Sequence, residues 1–197
     1  MSYRVQDHYF HRAKKENYLA RAIYKLEEIQ KKHAILKPGQ RVLDLGAAPG
    51  SWMQLTSRIV GPGGLVVGVD LKEIKHSFPP HVVIFQKDIY EPEFLETLQR
   101  DYGPFDVVLS DMAPSTCGIK AADSARSELL FEQALHLATA VLKGDGHFLA
   151  KIFQGSDFHA ILQEVKKHFG KVKVVKPDAS KKESKEIYIL AMRFKKP

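Results

Sequence analysis

The apolar and polar positions of this 197-residue chain follow two alternating rhythms. In "NYLARAIYKLEEIQKKH" (17–33), Leu19, Ala22, Ile23, Leu26 and Ile29 recur three and four apart. That spacing places them on one helix face. "LKPGQ" stops the helix, and "RVLDLG" (41–46) is a short apolar run that ends in glycine, which predicts a strand. Helical spacing returns in "SWMQLTSRIV" (51–60), and "GPGG" (61–64) closes it. The pattern then predicts strands over 65–71 and 81–89, a helix over 91–102 with Pro92 in its first turn, and a strand over 105–111. A long helix over 124–142 leads to a strand in "GHFLAKIFQG" (146–155). A helix over 156–169, with Ser156 as its expected cap, precedes the last two strands, 171–177 and 184–194.

Strands alternating with helices predict an α/β fold, a doubly wound parallel sheet with helices on both faces. Only the polar "DASKKE" separates the last two strands, so they are expected to form an antiparallel hairpin at one edge. The expected sheet has seven strands, mostly parallel, with the last reversed. One residue breaks the pattern. Phe148, Leu149, Ala150, Ile152 and Phe153 read as a buried central strand, interrupted only by Lys151. An unpaired buried ammonium costs several kcal/mol or loses its proton. Lys151 therefore demands partners or a function.

The chain is long enough for one domain with a substantial core, and 44% hydrophobic with 27% charged residues is ordinary for a globular protein. No apolar run approaches the roughly 18 residues that span a bilayer. "MSYRVQDHYFHRAKKENY" lacks the apolar core of a signal peptide, and Asp7 and Glu16 argue against a transit peptide. A single cysteine, Cys117, excludes an internal disulfide framework and fits a reducing compartment, so a cytoplasmic location is expected. Nine histidines show no metal-ligand spacing, so no metal is expected.

Charge is uneven. Residues 1–40 carry nine Lys/Arg against four Asp/Glu, and residues 166–197 carry eleven against three. The 125 residues between them carry ten against sixteen. Two basic ends flanking an acidic middle suggest a polyanion partner, most simply nucleic acid. Arg4, Arg12, Lys14, Lys15 and Arg21 at one end, and Lys181 and Lys182 at the other, are the candidate phosphate contacts. Tyr3, Tyr9, Phe10 and Tyr18 interleave with the first group and could stack on bases.

"VLDLGAAPG" (42–50) places an acid, Asp44, in the first strand and glycines Gly46 and Gly50 just beyond it. It has neither the G-x-G-x-x-G of a dinucleotide site nor the Gly-Lys-Ser/Thr of a P-loop. Asp70 ends the second strand and Asp88 the third, at the edge where α/β sheets bind ligands. Any one of these acids could simply cap the next helix. Three together would repel a pyrophosphate yet suit a nucleoside with a cationic substituent, and S-adenosylmethionine fits.

The motifs "VLDLGAAPGSW", "LSDMAP", "KIFQG" and "ESKEIYIL", in this order, resemble the FtsJ/RlmE-type (RrmJ-like) ribosomal RNA large-subunit 2′-O-ribose methyltransferases. The resemblance runs from "RAIYKLEEI" to the end of the chain. It implies a Rossmann-like class I S-adenosylmethionine-dependent methyltransferase fold, one domain over 1–197 with 1–17 as a basic arm. It implies a Lys-Asp-Lys-Glu tetrad at Lys25, Asp111, Lys151 and Glu186, and cofactor contacts at Gly50, Trp52, Asp70, Asp88 and Asp111. S-adenosylhomocysteine would be the product. Ser51 stands where the family usually has glycine, and a serine that caps the following helix is expected to be tolerated.

The strand pattern agrees with the tetrad. Asp111 follows the fourth strand, Lys151 lies near the end of the fifth, and Glu186 begins the reversed last strand, which brings it to the same edge. A ribose 2′-hydroxyl must lose its proton as it attacks an activated methyl group, and Lys151 is the candidate acceptor. Burial and the cation Lys25 favour its neutral form, while Asp111 and Glu186 favour the charged one. Asp111 would orient Lys151, and Lys25 and Glu186 would hold the ribose. The 2′-hydroxyl separates RNA from DNA. The expected activity is methylation of a uridine ribose in large-subunit ribosomal RNA, free or in a subunit precursor, by a monomer that engages no membrane. The alternatives are the same chemistry on tRNA or an mRNA cap, a small-molecule methyltransferase, and a non-catalytic RNA-binding assembly factor.

Overall fold

The computed structural model describes residues 8–180 and 184–196. Seven strands form one sheet: β1 (Arg41–Leu45), β2 (Leu65–Asp70), β3 (Val82–Gln86), β4 (Phe105–Ser110), β5 (Leu142–Phe153), β6 (Phe169–Val175) and β7 (Glu186–Phe194). Their order is β3-β2-β1-β4-β5-β7-β6. β1 to β5 pair in parallel, and β7 runs antiparallel to both β5 and β6. The reversed strand is thus inserted between β5 and an edge strand, and the hairpin expected at one edge is present. The helices are α1 (His8–Lys15), α2 (Ile23–His33), α3 (Ser51–Val60), α4 (Pro92–Thr97), α5 (Lys120–Val141) and α6 (Phe158–His168).

Period-two alternation sends successive strand residues to opposite faces. Leu43, Leu45, Val67, Val69, Val108, Phe148 and Ile152 face one core, which Phe131, Ala134 and Ala138 of α5 complete. Val42, Val66, Val107, Leu109, Leu149 and Leu190 face the other, against Leu26 and Ile29 of α2 and Met53 of α3. Continuous apolar strands are what a sheet buried on both faces requires.

Several boundaries differ from expectation. Within the expected basic arm of residues 1–17, His8–Lys15 forms a helix. The helix expected from residue 17 starts at Ile23: Asn17 has φ 58° and the Leu19 N–H bonds to Gln54 Oε1, which turns the chain. Leu19 keeps the helical spacing by coincidence, since its side chain lies over Gly50. The 91–102 helix is α4 followed by a π-helical turn, Leu98–Tyr102. β5 starts at Leu142 rather than at 146: Leu142 pairs with Phe105 and His147 already pairs with Val107, with "KGDG" as a bulge between them. The N-cap of α6 is Asp157, not Ser156, and it makes no side-chain cap bond. The N-cap of α3 is Gly50, and Ser51 is its first residue, buried rather than capping.

Candidate active site

Three strands that end at the carboxyl edge of the sheet deliver a carboxylate there. β1 runs into Gly46–Gly50, β2 ends on Asp70, Asp88 follows β3, and Asp111 follows β4. A crevice of about 430 Å³ opens along this edge, walled by Gly46, Ala48, Asp70, Asp88, Asp111 and Met112 among others. Asp70 shapes the wall as well as lining it. Its carboxylate accepts the main-chain N–H groups of Ala48 (2.9 Å) and Lys72 (2.8 Å), which ties the glycine loop to β2. Asp88 likewise accepts the Tyr90 N–H at 3.0 Å. Gly46, at φ 75°, lies so close to Met112 that a Cβ would meet its Cγ at 2.4 Å. Gly50, at φ 109°, would meet the Phe78 ring at 2.9 Å. Both positions need glycine for backbone conformation and for space.

Asp44 is buried beneath this loop, and among the described residues neither carboxyl oxygen has a hydrogen-bond partner. Burial, then the neighbouring Asp111 and Asp70 carboxylates, push its pKa well above the usual range. An orphaned carboxyl is costly.

Beside the crevice, the tetrad residues come together as two ion pairs. Lys151 is buried, and its Nζ donates to the Asp111 main-chain carbonyl at 2.5 Å and lies 3.1 Å from Asp111 Oδ1. Lys25 Nζ is 2.6 Å from Glu186 Oε1. Tyr188, absent from the sequence-derived site, joins the pairs: its hydroxyl donates to Asp111 Oδ1 at 2.6 Å and lies 3.3 Å from Glu186 Oε1. Burial and these two carboxylates hold the phenol pKa well above normal, so the hydroxyl stays a donor. Antiparallel register places Tyr188 directly opposite Lys151 and Glu186 opposite Phe153. The alternation in "EIY" puts Glu186 and Tyr188 on one strand face, which is the signal that could have revealed Tyr188.

Lys25 reaches this edge because α2 is clasped to the turn after β6. Glu28 accepts the N–H groups of Asp178 (2.7 Å) and Ala179 (3.0 Å), and an Arg21 guanidinium N–H donates to the Ala179 carbonyl. Trp52 braces the same region from α3. Its indole N–H donates to the Ala22 carbonyl at 2.8 Å and its ring packs against Tyr188.

Of the expected cofactor residues, Asp70, Asp88 and Asp111 line the crevice. Gly50 and Trp52 stand at the start of α3 beside it, and the Trp52 side chain is committed elsewhere. Of the expected RNA contacts, Lys14 and Lys15 are exposed on α1. Arg12 pairs with Glu16 at 2.8 Å and sits over the Tyr24 ring. Arg21 borders the tetrad in a recess shared with Lys25 and Glu186. Arg4, Lys181 and Lys182 lie outside the described residues, as does Tyr3. Among the described residues no group of three or more His, Cys, Asp or Glu is placed to hold a metal ion, and no helix is long and apolar enough to cross a membrane.

Residues 18–194 match the FtsJ-like methyltransferase family. A protein of Syntrophobacter fumaroxidans called Ribosomal RNA large subunit methyltransferase E is 65% identical over 196 residues, which cover 100% of both chains. One of the same name from Desulfosudis oleivorans is 50% identical over 98% of this chain and 92% of its own. Among solved structures, a protein of Plasmodium falciparum described as a ribosomal RNA methyltransferase superposes with a TM-score of 0.78 at 27% identity, covering 91% of this chain and 100% of that one. A fibrillarin/Nop5p complex shares the fold, with a TM-score of 0.59 at 21% identity over 86% of this chain and 80% of that one.

Proposed function

The chain belongs to the FtsJ-like methyltransferase family, and from that premise we propose that it transfers the methyl group of S-adenosylmethionine to the ribose 2′-hydroxyl of a uridine in large-subunit ribosomal RNA. The observation that carries this reading is the network of Lys151, Asp111, Tyr188, Glu186 and Lys25 beside an acid-lined crevice that lacks a phosphate loop.

The crevice suits the cofactor on the chemistry of its donor set. Asp70 and Asp88, which line it, offer acceptors to an adenosine. The first main-chain N–H groups of α3, at Ser51 and Trp52, lack partners within the helix and suit a carboxylate. Asp111 belongs to both the crevice and the tetrad, so it marks where the two sites meet. When bound, S-adenosylmethionine supplies a methyl group on a cationic sulfur.

Lys151 then handles the proton. A neutral amine keeps two N–H donors, which match the two Asp111 oxygens that Lys151 already faces. Its lone pair is left for the 2′-hydroxyl proton as the oxygen–carbon bond forms. Asp111 fixes the direction of that lone pair, Tyr188 fixes Asp111, and the Lys25–Glu186 pair is placed to hold the ribose. S-adenosylhomocysteine is the other product. Residues 1–197 act as one methyltransferase domain with 1–17 as a basic arm, working as a monomer, and the lone Cys117 suits the cytoplasm.

The test is an RNA fragment of the large subunit, offered with labelled S-adenosylmethionine in two forms: ribose, or 2′-deoxyribose, at the methylated uridine. Label is expected as 2′-O-methyluridine from the first and absent from the second. Label on a base, retained in the deoxy substrate, overturns the reading.

A further inference from the structure

Resting on that reading, we propose that the recess between the first turn of α5 and the segment entering β7 binds the nucleotide adjoining the methylated one, its phosphodiester between Lys120 and Lys185 and its base against Phe153. The recess measures about 180 Å³, and Lys120, Asp123, Ser124, Phe153, Ser184 and Lys185 line it. A second recess of about 200 Å³ contains Arg21, Lys25 and Glu186, and Ser184 lines both. The two therefore meet at Ser184, and the second includes half of the tetrad.

Strand geometry fixes the spacing. Lys151 and Phe153 are two apart on β5 and share a face, and their cross-strand partners are Tyr188 and Glu186. Phe153 thus stands one pleat beyond the proton acceptor, at the end of the same strand. A ribose presented to Lys151 carries its own 3′-phosphate next to the reacting oxygen, so a neighbouring phosphodiester must leave the tetrad at once. The Lys120–Lys185 recess takes in Phe153 at that strand end and adjoins the recess of Lys25 and Glu186 through Ser184.

The charges suit a phosphodiester. Lys120 and Lys185 are both exposed. Asp123, the acid among the lining residues, is spent on its own loop: it accepts the Cys117 N–H at 2.8 Å and the Gly118 N–H at 3.2 Å. Those bonds hold its pKa below the ordinary value, led by the Cys117 N–H. The half-buried Phe153 adds a ring face on which any base can stack. Two cations and one aromatic within a single recess match a nucleotide better than an acidic peptide, which would leave the ring unused.

The experiment measures equilibrium binding of a short RNA substrate over a salt series, with two variants. Lys120→Gln/Lys185→Gln is expected to flatten the plot of log affinity against log salt by about 1 unit. Replacing the adjoining phosphodiester with a neutral methylphosphonate should weaken the parent and leave the double variant unaffected. Phe153→Leu should lower affinity by roughly 5- to 100-fold with the salt slope intact. S-adenosylmethionine affinity should be unchanged in both. A parental salt slope in the double variant, or equal sensitivity of parent and double variant to the methylphosphonate, overturns the proposal. So does parental affinity in Phe153→Leu. A parent that binds RNA but transfers no methyl group would contradict the proposed reaction alone, because the subsite is read from binding.

Discussion

At the scale of single residues, the proposed reaction rests on a lysine, an aspartate and a tyrosine. As the proposed proton acceptor, Lys151 must be able to become neutral, and arginine cannot do so in a protein. Lys151→Arg should therefore lose methyl transfer nearly as severely as Lys151→Ala, by roughly 10²–10⁴-fold in a single turnover, with S-adenosylmethionine binding intact. Arginine activity within a few-fold of the parent would mean that a permanent cation suffices. Tyr188→Phe removes the 2.6 Å donor from Asp111. A hydrogen bond to a charged group is worth about 1.5–3 kcal/mol, so the rate should fall about 10- to 100-fold. The pH profile should keep its shape, because the phenol stays protonated. A limb of the profile that disappears in the variant would make Tyr188 the titrating group. Asp44 behaves differently. Its folded-state pKa lies above the ordinary 3.8, so above that pH the unfolded chain has released a proton that the fold retains. Stability should thus decline as pH rises from 3.8 towards the raised value. Asp44→Asn removes this cost. Its melting temperature at pH 7 should rise by roughly 2–4 °C; a lower melting temperature contradicts the assignment. Lys151 was legible because a lysine in an apolar strand demands a reason. Tyr188 was not, because a tyrosine in a buried strand is unremarkable until the register shows it opposite Lys151.

At the scale of elements, the sheet was legible because its strands are apolar on both faces and end in glycine or acid. The errors fall where chain direction is set by long-range contacts. Helix α2 starts late because Gln54, on another helix, captures the Leu19 N–H. The early start of β5 depends on pairing with Phe105, which "KGDG" does not announce. The turn from β1 into α3 is the element on which the crevice at the sheet edge depends, and its weak point is Gly50. Alanine there would need φ 109° and would press its Cβ into Phe78. Gly50→Ala should cost about 1–3 kcal/mol of stability in chemical denaturation and weaken S-adenosylmethionine binding. Parental values for both would show that the loop tolerates a side chain and is not the rigid wall described.

At the scale of the whole molecule, the sheet edge gathers acids while the two ends gather bases, so under the proposed function cofactor and polyanion meet regions of opposite charge. The two meet at the tetrad, where Glu28 and Arg21 clasp the N-terminal helices to the turn between the last two strands. That closure is why Lys25, from the second helix, can share a site with Glu186, 161 positions later. Sequence pattern alone could not place Lys25 there. The measurement that tests the account most directly is a map of 2′-O-methyl groups in large-subunit RNA from cells with the protein, without it, and with Lys151→Ala in its place. The account predicts a uridine mark in the first that is missing from both others. The same mark in cells that lack the protein, or in the Lys151→Ala cells at full occupancy, would contradict it.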